Sequence, residues 1–222
     1  MWFMPTFNRP EQCKAVIEQI NKVGCSTSGI VFVQGREMQA EYEKALDGTL
    51  PDNWVLYFHA TNIGCDPAMN WCFKNFPNEP FYGLVCDDEY VYTEGWDKIL
   101  SEAAGEWNIS HGNDGWQSEN RIHSYVTVGG ELVRACGWWS LPGLWHWFHD
   151  DVQEALAAAC GLRVYCKDVK TEHKHYMAGK VQKDATYVSA EEGSEKDRQT
   201  YYDWRLNEFP FLVGKIMRAK RI

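Results

Sequence analysis

The feature that most constrains this chain is the alternation, through its first half, of short continuous apolar runs with segments of helical period. Trp2-Phe3-Met4, Ile30-Val31-Phe32-Val33, Trp54-Val55-Leu56-Tyr57-Phe58 and Tyr82-Gly83-Leu84-Val85-Cys86 are too short for buried helices and rich in β-branched and aromatic residues, which marks them as strands. Between them, Cys13, Val16, Ile17, Ile20 and Val23 fall on one helical face, with Asn8 as the expected N-cap and Pro10 in the first turn. Residues 36–46 and 66–75 also read as helices. Strands apolar on both faces, spaced by helices, predict an α/β domain with a mostly parallel sheet covered on both sides. The 222 residues suffice for one such core.

The second half is less regular. Residues 94–104 read as a helix, 105–120 as a loop, Tyr125–Val128 as a strand and Gly129-Gly130 as a turn. Leu144 to Ala159 follows a helical period, Val164–Val169 reads as a strand, and the polar, acidic stretch 184–200 as a mobile loop. The net charge is −9, yet the last twelve residues carry Lys215, Arg218, Lys220 and Arg221 and no acid, so the first 210 carry −13. This balance excludes a generally basic nucleic-acid coat but leaves a local basic patch. No apolar run is long enough to span a membrane, and the N-terminus lacks the basic and apolar regions of a signal peptide. The eight cysteines are scattered without C-x-x-C spacing, which reads as reduced thiols of a cytoplasmic protein.

Three consecutive acids, Asp87-Asp88-Glu89, follow directly on an apolar strand. In open α/β sheets ligands bind beyond the carboxyl ends of the strands, and clustered carboxylates there call for a compensating cation. A solvated acidic turn would carry the same residues; the position after a buried strand favours Mn²⁺ or Mg²⁺. His173 and His175, two apart, project to one side of a strand and could complete a metal site. Pro5-Thr6-Phe7-Asn8-Arg9, at the end of the first strand, offers hydrogen bonds and a cation to a nucleotide diphosphate. Asp150 and Asp151 are candidates for a general base. Trp138 and Trp139, just upstream, suit sugar rings or nucleobases when they are not core. No G-x-x-x-x-G-K-[ST] occurs, which excludes a P-loop NTPase, and the absence of G-x-G-x-x-G, G-x-S-x-G and H-E-x-x-H argues against a dinucleotide site, a nucleophile elbow and a zinc hydrolase.

In their order and spacing these segments resemble the GT-A glycosyltransferases, in particular the family-two nucleotide-sugar transferases, including small ones of bacteriophage type. The resemblance covers roughly residues 1–178. Pro5-Thr6-Phe7-Asn8-Arg9-Pro10 resembles the family's first strand and loop. Asn62-Ile63-Gly64 with Ala68-Met69-Asn70 resembles its G-x-x-x-A-x-N stretch, and Leu84 to Glu89 its strand with a D-x-D motif. Gly129 to Asp151 resembles the acceptor segment ending in a catalytic carboxylate, and Asp168 to His175 the strand that delivers a metal-binding histidine.

The resemblance implies a Rossmann-like GT-A domain over residues 1–180, with a nucleotide-sugar half (1–104) and an acceptor half (105–180), followed by an extension (181–222) of acidic loop and basic tail. It implies donor binding by Pro5, Thr6, Asn8, Arg9, Asn62, Gly64, Asn70, Asp87 and Asp88, and metal binding by Asp87, Glu89 and His173 or His175. Asp150 or Asp151 would be the base, and Trp138 and Trp139 would face the acceptor. The expected reaction is inverting transfer from a UDP-sugar to a hydroxyl, with a hydroxymethylated pyrimidine in phage DNA as one acceptor. A polysaccharide or protein acceptor, a nucleotidyltransferase, and a non-enzymatic nucleotide- or carbohydrate-binding module of the same fold are the alternatives.

Overall fold

In the computed structural model, which describes residues 1–116, 121–122, 125–174, 176 and 179–220, the anticipated alternation builds one eight-stranded sheet of order β3-β2-β1-β4-β7-β6-β8-β5. β1 (Trp2–Thr6), β2 (Gly29–Gln34), β3 (Trp54–His59) and β4 (Phe81–Leu84) form its parallel half. The connecting helices are α1 (Pro10–Val23), α2 (Gln39–Leu46) and α3 (Cys65–Asn75). Beyond β4 the sheet mixes directions: β7 (Thr127–Gly129) is antiparallel to β4 and to β6 (Ile109–Asn113), and β8 (Arg163–His173) is parallel to β6. β5 (Glu89–Val91) pairs antiparallel with β8, with Glu89 opposite His173. This is an α/β, Rossmann-like GT-A architecture.

The period of two decides which side chains go where. Trp2 and Met4 of β1 pack with Val31 and Val33 of β2 and with Trp96 and Leu100 of α4 (Trp96–Ala104). Phe3 joins Phe32, Met69, Tyr82 and Leu84 on the opposite face. That second core also takes in Leu132 of α5 (Gly130–Cys136), Leu156 of α6 (His149–Cys160), Trp204 of α8 (Ser194–Asn207) and Ile216 of α9 (Phe209–Ala219). Burial on both faces explains why β1, β2 and β4 read as unbroken apolar runs, whereas the apolar run of β3, at the sheet edge, leaves Val55 and Tyr57 exposed.

Several boundaries differ from the sequence reading. Asn8 does not cap α1: it is exposed with φ 56°, Arg9 is the N-cap residue, and no side chain caps that end. Strand β6 lies inside the stretch read as loop, and Gly130 opens α5 instead of completing a turn. Helix α6 starts at His149, five residues later than Leu144, because Phe148 is left-handed (φ 73°) and the amides of residues 145–147 are bound by a distant carboxylate. Residues 184–200 are no loop: α7 (Ala185–Glu192) is capped by Asp184, which accepts from the Tyr187 amide, and α8 follows at once. Its few apolar residues go to tertiary contacts, with Tyr187, Ala190 and Trp204 buried, so no stripe announces it. All eight cysteines are free thiols. No described helix is long and apolar enough to cross a membrane.

Candidate active site

A cavity of about 570 Å³ opens beyond the carboxyl ends of β1 and β4. Its size is that of a small-molecule site. Of the residues expected at a donor site, Pro5, Thr6, Arg9, Asn62, Gly64, Asp87 and Asp88 line it.

The floor is a chain of polar groups assembled from five parts of the sequence. Thr6 Oγ1 donates to Asp87 Oδ2 at 2.7 Å. Its proton is therefore committed, and Tyr42 Oη, 2.7 Å away, donates to Thr6 while accepting the Arg9 amide at 2.9 Å. Arg9 Nη1 meets Asp87 Oδ1 at 3.0 Å and Asp88 Oδ2 at 3.6 Å. Its Nε and Nη2 form a two-pronged contact with Asp184, both at 2.9 Å. Tyr187 stacks its ring 4.1 Å from the guanidinium carbon and donates its hydroxyl to Asp88. His173 Nε2 lies 3.1 Å from Asp88 Oδ1.

The electrostatics follow from these partners. Burial works against the charged His173 ring, but the bond to Asp88 and its charge outweigh it and lift His173 to about 9. Burial opposes ionisation of Asp88 too, yet His173, Tyr187 and Arg9 hold it well below the usual carboxylate range. At Asp87 the same effect of burial prevails, despite Arg9, and raises it above the usual carboxylate range.

The expected metal set is only partly brought together. Asp87, Asp88 and His173 line the cavity, whereas Glu89 is fully buried behind His173 as its cross-strand partner. His175 lies outside the described residues. Among the described residues no group of three or more His, Cys, Asp and Glu side chains is arranged to hold an ion. The Arg9 guanidinium instead bridges the two aspartates. Of the expected set, Asp88 and His173, an oxygen and a nitrogen group adjacent on the cavity wall, are the two that could hold a divalent cation, and only once His173 gives up the proton it shares with Asp88.

The opposite wall comes from the segment before α6. Gly64, at φ 86°, lets the chain pass beneath Trp145, where a Cβ would stand 2.6 Å from the Trp145 carbonyl oxygen. Asp197 of α8, fully buried, accepts the amides of Trp145, His146 and Trp147, each at 2.9 Å. Trp147 Nε1 donates to Ala190 O at 2.8 Å. This pins Trp145, His146, Trp147, His149 and Asp150 around the cavity. Burial and the neighbouring His149 push His146 down to about 4, so it is neutral near pH 7. Of the two candidate bases, Asp150 lines the cavity, while Asp151 does not and meets Arg121 at 3.3 Å.

Four of the expected residues stand away from the cavity. Trp139 is core, packed on Phe3 and Tyr82, and Trp138 stands edge-on to Trp204 in a separate shallow groove, so neither lines the cavity. The indoles that do are Trp116, Trp145 and Trp147. Asn70 is structural: its amide oxygen accepts the Trp139 and Ser140 amides and its nitrogen donates to the Ser140 carbonyl. Asn8 is exposed and does not line the cavity. Asp184, Tyr187 and Asp197 were missed because they belong to helices that periodicity does not reveal. An aromatic and two acids in a polar stretch give no local signal of a site.

A domain of this architecture with a cavity at its strand ends belongs to a recognisable class of folds. Solved structures of S. aureus TarS share it. The chain superposes on TarS 1–349 with a TM-score of 0.57 at 10% identity, covering 98% of this chain and 80% of that one. For TarS 1–349 in complex with UDP-GlcNAc the values are 0.55 and 10%, with 85% and 63% covered. For the complex with UDP they are 0.55 and 12%, with 76% and 59% covered. The match spans only 36% of the longer TarS chain. No protein-family model matches the sequence, and no curated protein does either.

Proposed function

We propose that the chain is a glycosyltransferase that moves a sugar from a nucleotide diphosphate donor, a UDP-sugar, to a hydroxyl acceptor with inversion at the anomeric carbon. The observation that carries this reading is the cavity itself. One wall presents Thr6, Arg9, Asp87, Asp88 and His173 and the other presents His149 and Asp150, on the fold of a protein solved with UDP and with UDP-GlcNAc.

In this reading the uracil and ribose lie against Pro5, Thr6 and Asn62 at the end of β1. Arg9, now held by carboxylates, turns its guanidinium to the diphosphate, for which its fork of donors is suited. A divalent ion, Mn²⁺ or Mg²⁺, would be held by Asp88 and His173 and, when bound, would neutralise the charge of the departing diphosphate. The acceptor hydroxyl approaches from the His149 and Asp150 side, loses its proton there and attacks from the face opposite the leaving group. The three cavity indoles offer flat apolar faces to a sugar or a base.

For the acceptor we favour a polyanion, DNA carrying a hydroxymethylated pyrimidine, as in phage-type family-two enzymes. What supports it is the exposed basic face of α9, with Lys215, Arg218 and Lys220; Arg221 lies outside the described residues. Lys220 acts near Cys160, at the far end of α6 from Asp150, about 15–18 Å away at 1.5 Å per residue. Such a separation suits a polymer reaching both places.

The deciding experiment incubates the chain with Mn²⁺, UDP-glucose or UDP-GlcNAc, and hydroxymethylcytosine DNA, and identifies the nucleotide released. Release of UDP with sugar on the DNA supports the whole reading, and transfer only to glycans or proteins rejects the DNA acceptor. Pyrophosphate release means a nucleotidyltransferase, and binding without turnover means a binding module. Full activity in EDTA rejects the metal.

A further inference from the structure

Behind the acceptor wall sits a charged group that the reading above does not use. Asp66, in the first turn of α3, is fully buried. Its Oδ1 accepts from Ser140 Oγ, and its Oδ2 has no hydrogen-bond partner among the described residues. The nearest basic group is His149, whose Nδ1 lies 4.0 Å from Asp66 Oδ1. That nitrogen is also buried and without a hydrogen-bond partner among the described residues. The rest of the imidazole is partly exposed on the cavity. Each of these two complementary side chains thus keeps one buried polar atom without a partner among the described residues, Asp66 Oδ2 and His149 Nδ1, and the pair stands about 1 Å beyond hydrogen-bond reach.

We propose that His149, oriented by the buried carboxylate of Asp66, is the proton acceptor for the acceptor hydroxyl in this cavity. The proposal rests on the transferase reading. With Nδ1–H donated to Asp66, the ring is held in the tautomer whose Nε2 carries a lone pair toward the cavity. In the reaction the hydroxyl gives its proton to Nε2 while its oxygen bonds to the anomeric carbon. The bond from that carbon to the donor diphosphate breaks, and its electron pair leaves with UDP. The imidazolium that results is balanced by Asp66 behind it and Asp150 beside it.

His146 also lines the cavity, but its main-chain amide is held by Asp197 and burial with the neighbouring His149 keeps its ring below the usual imidazole range, which makes it the weaker proton acceptor. The charged and titratable groups around His149 are Asp66 from α3, Asp150 and Asp151 on its own helix, His146 before it, Asp197 from α8, and Arg121, which meets Asp151. Burial raises Asp66 to about 6, so a cation arriving beside it is welcome.

The test uses the full chain with ¹⁵N-labelled histidine, His149→Gln assigning the signal. The expected spectrum shows His149 with Nδ1 protonated and Nε2 bare, and Asp66→Asn lowers its pKa by at least about half a unit. A wild-type ring protonated on Nε2, or a titration indifferent to Asp66→Asn, overturns the proposal. In turnover, His149→Gln should cost about tenfold or more while UDP affinity stays within about twofold. Asp66→Asn should shift the rising limb of the pH–rate profile to lower pH. An unchanged rate and limb in His149→Gln overturns it as well. Failure of the transferase reading is distinguishable: the wild type then neither binds UDP nor releases it from a UDP-sugar. That result removes the proton-transfer role, while the ring titration still reports the pairing.

Discussion

Replacing Asp197 by alanine should unfasten one wall of the cavity. The carboxylate accepts three consecutive amides at 2.9 Å and is fully buried, so its loss strands three donors that the helix ladder cannot serve. A hydrogen bond to a charged acceptor contributes about 1.5–3 kcal/mol. Three would sum to roughly 4–9 kcal/mol, reduced because the site adjoins the cavity and water can replace part of the loss, and because a buried charge is removed with the bonds. A net cost of about 3 kcal/mol follows. In a domain of this size that lowers Tm by about 6–12 °C. Calorimetry measures the shift, and hydrogen exchange at residues 145–147 shows whether the protection lost is local. Asp197→Asn, which keeps one carbonyl acceptor, should fall between. A Tm within about 2 °C of the wild type, with unaltered exchange in that segment, would refute the reasoning.

Gly64→Ala should destabilise by about 2–4 kcal/mol, since φ 86° strains an alanine and its Cβ would meet the Trp145 carbonyl; urea denaturation and the Trp145 fluorescence check it. Arg9→Ala leaves Asp87, Asp88 and Asp184 facing one another, which should cost about 3–5 kcal/mol and raise amide exchange across α7; a cost under about 1 kcal/mol would contradict the role of Arg9 as the common partner. Asp66 gives a signed pH prediction. Its folded value of about 6 lies above the ordinary 3.8, so stability is fullest below about pH 4 and falls by about 3 kcal/mol as pH rises through 6. Asp66→Asn should flatten that fall and be the more stable protein at pH 7; equal pH dependence of the two would disprove it. Among the acids of α6, Asp150→Asn should slow sugar transfer at least about tenfold and Asp151→Asn far less; similar losses in both would show that lining the cavity is not what separates them.

The strand-end wall of the cavity was legible because it is local. An apolar strand running into Asp87-Asp88, and a first strand ending in Thr6 and Arg9, are contiguous in sequence, and the parallel α/β rule puts both at the same edge. The opposite wall was less so. Trp138 and Trp139 looked available, yet one indole is core and the other packs on α8, while Trp145 and Trp147 reach the cavity. Sequence spacing cannot choose among indoles in one aromatic run, because the choice depends on where α6 begins. A left-handed Phe148 and a carboxylate some fifty residues downstream decide that.

The sequence by itself determined the class of architecture, the parallel half of the sheet and the acids at its edge, since each follows from a period of two or 3.6 or from neighbouring residues. Only the tertiary structure decided that Arg9 occupies the space between the aspartates, that Glu89 faces inward, and that the polar stretch after residue 180 folds into helices completing both walls of the cavity. The reason is range. Asp184 and Arg9 are 175 residues apart, and Tyr187 and Asp88 are 99 apart. Contacts of that separation leave no periodic trace in either segment, because each partner is fixed by a charge or a hydroxyl that the fold alone delivers.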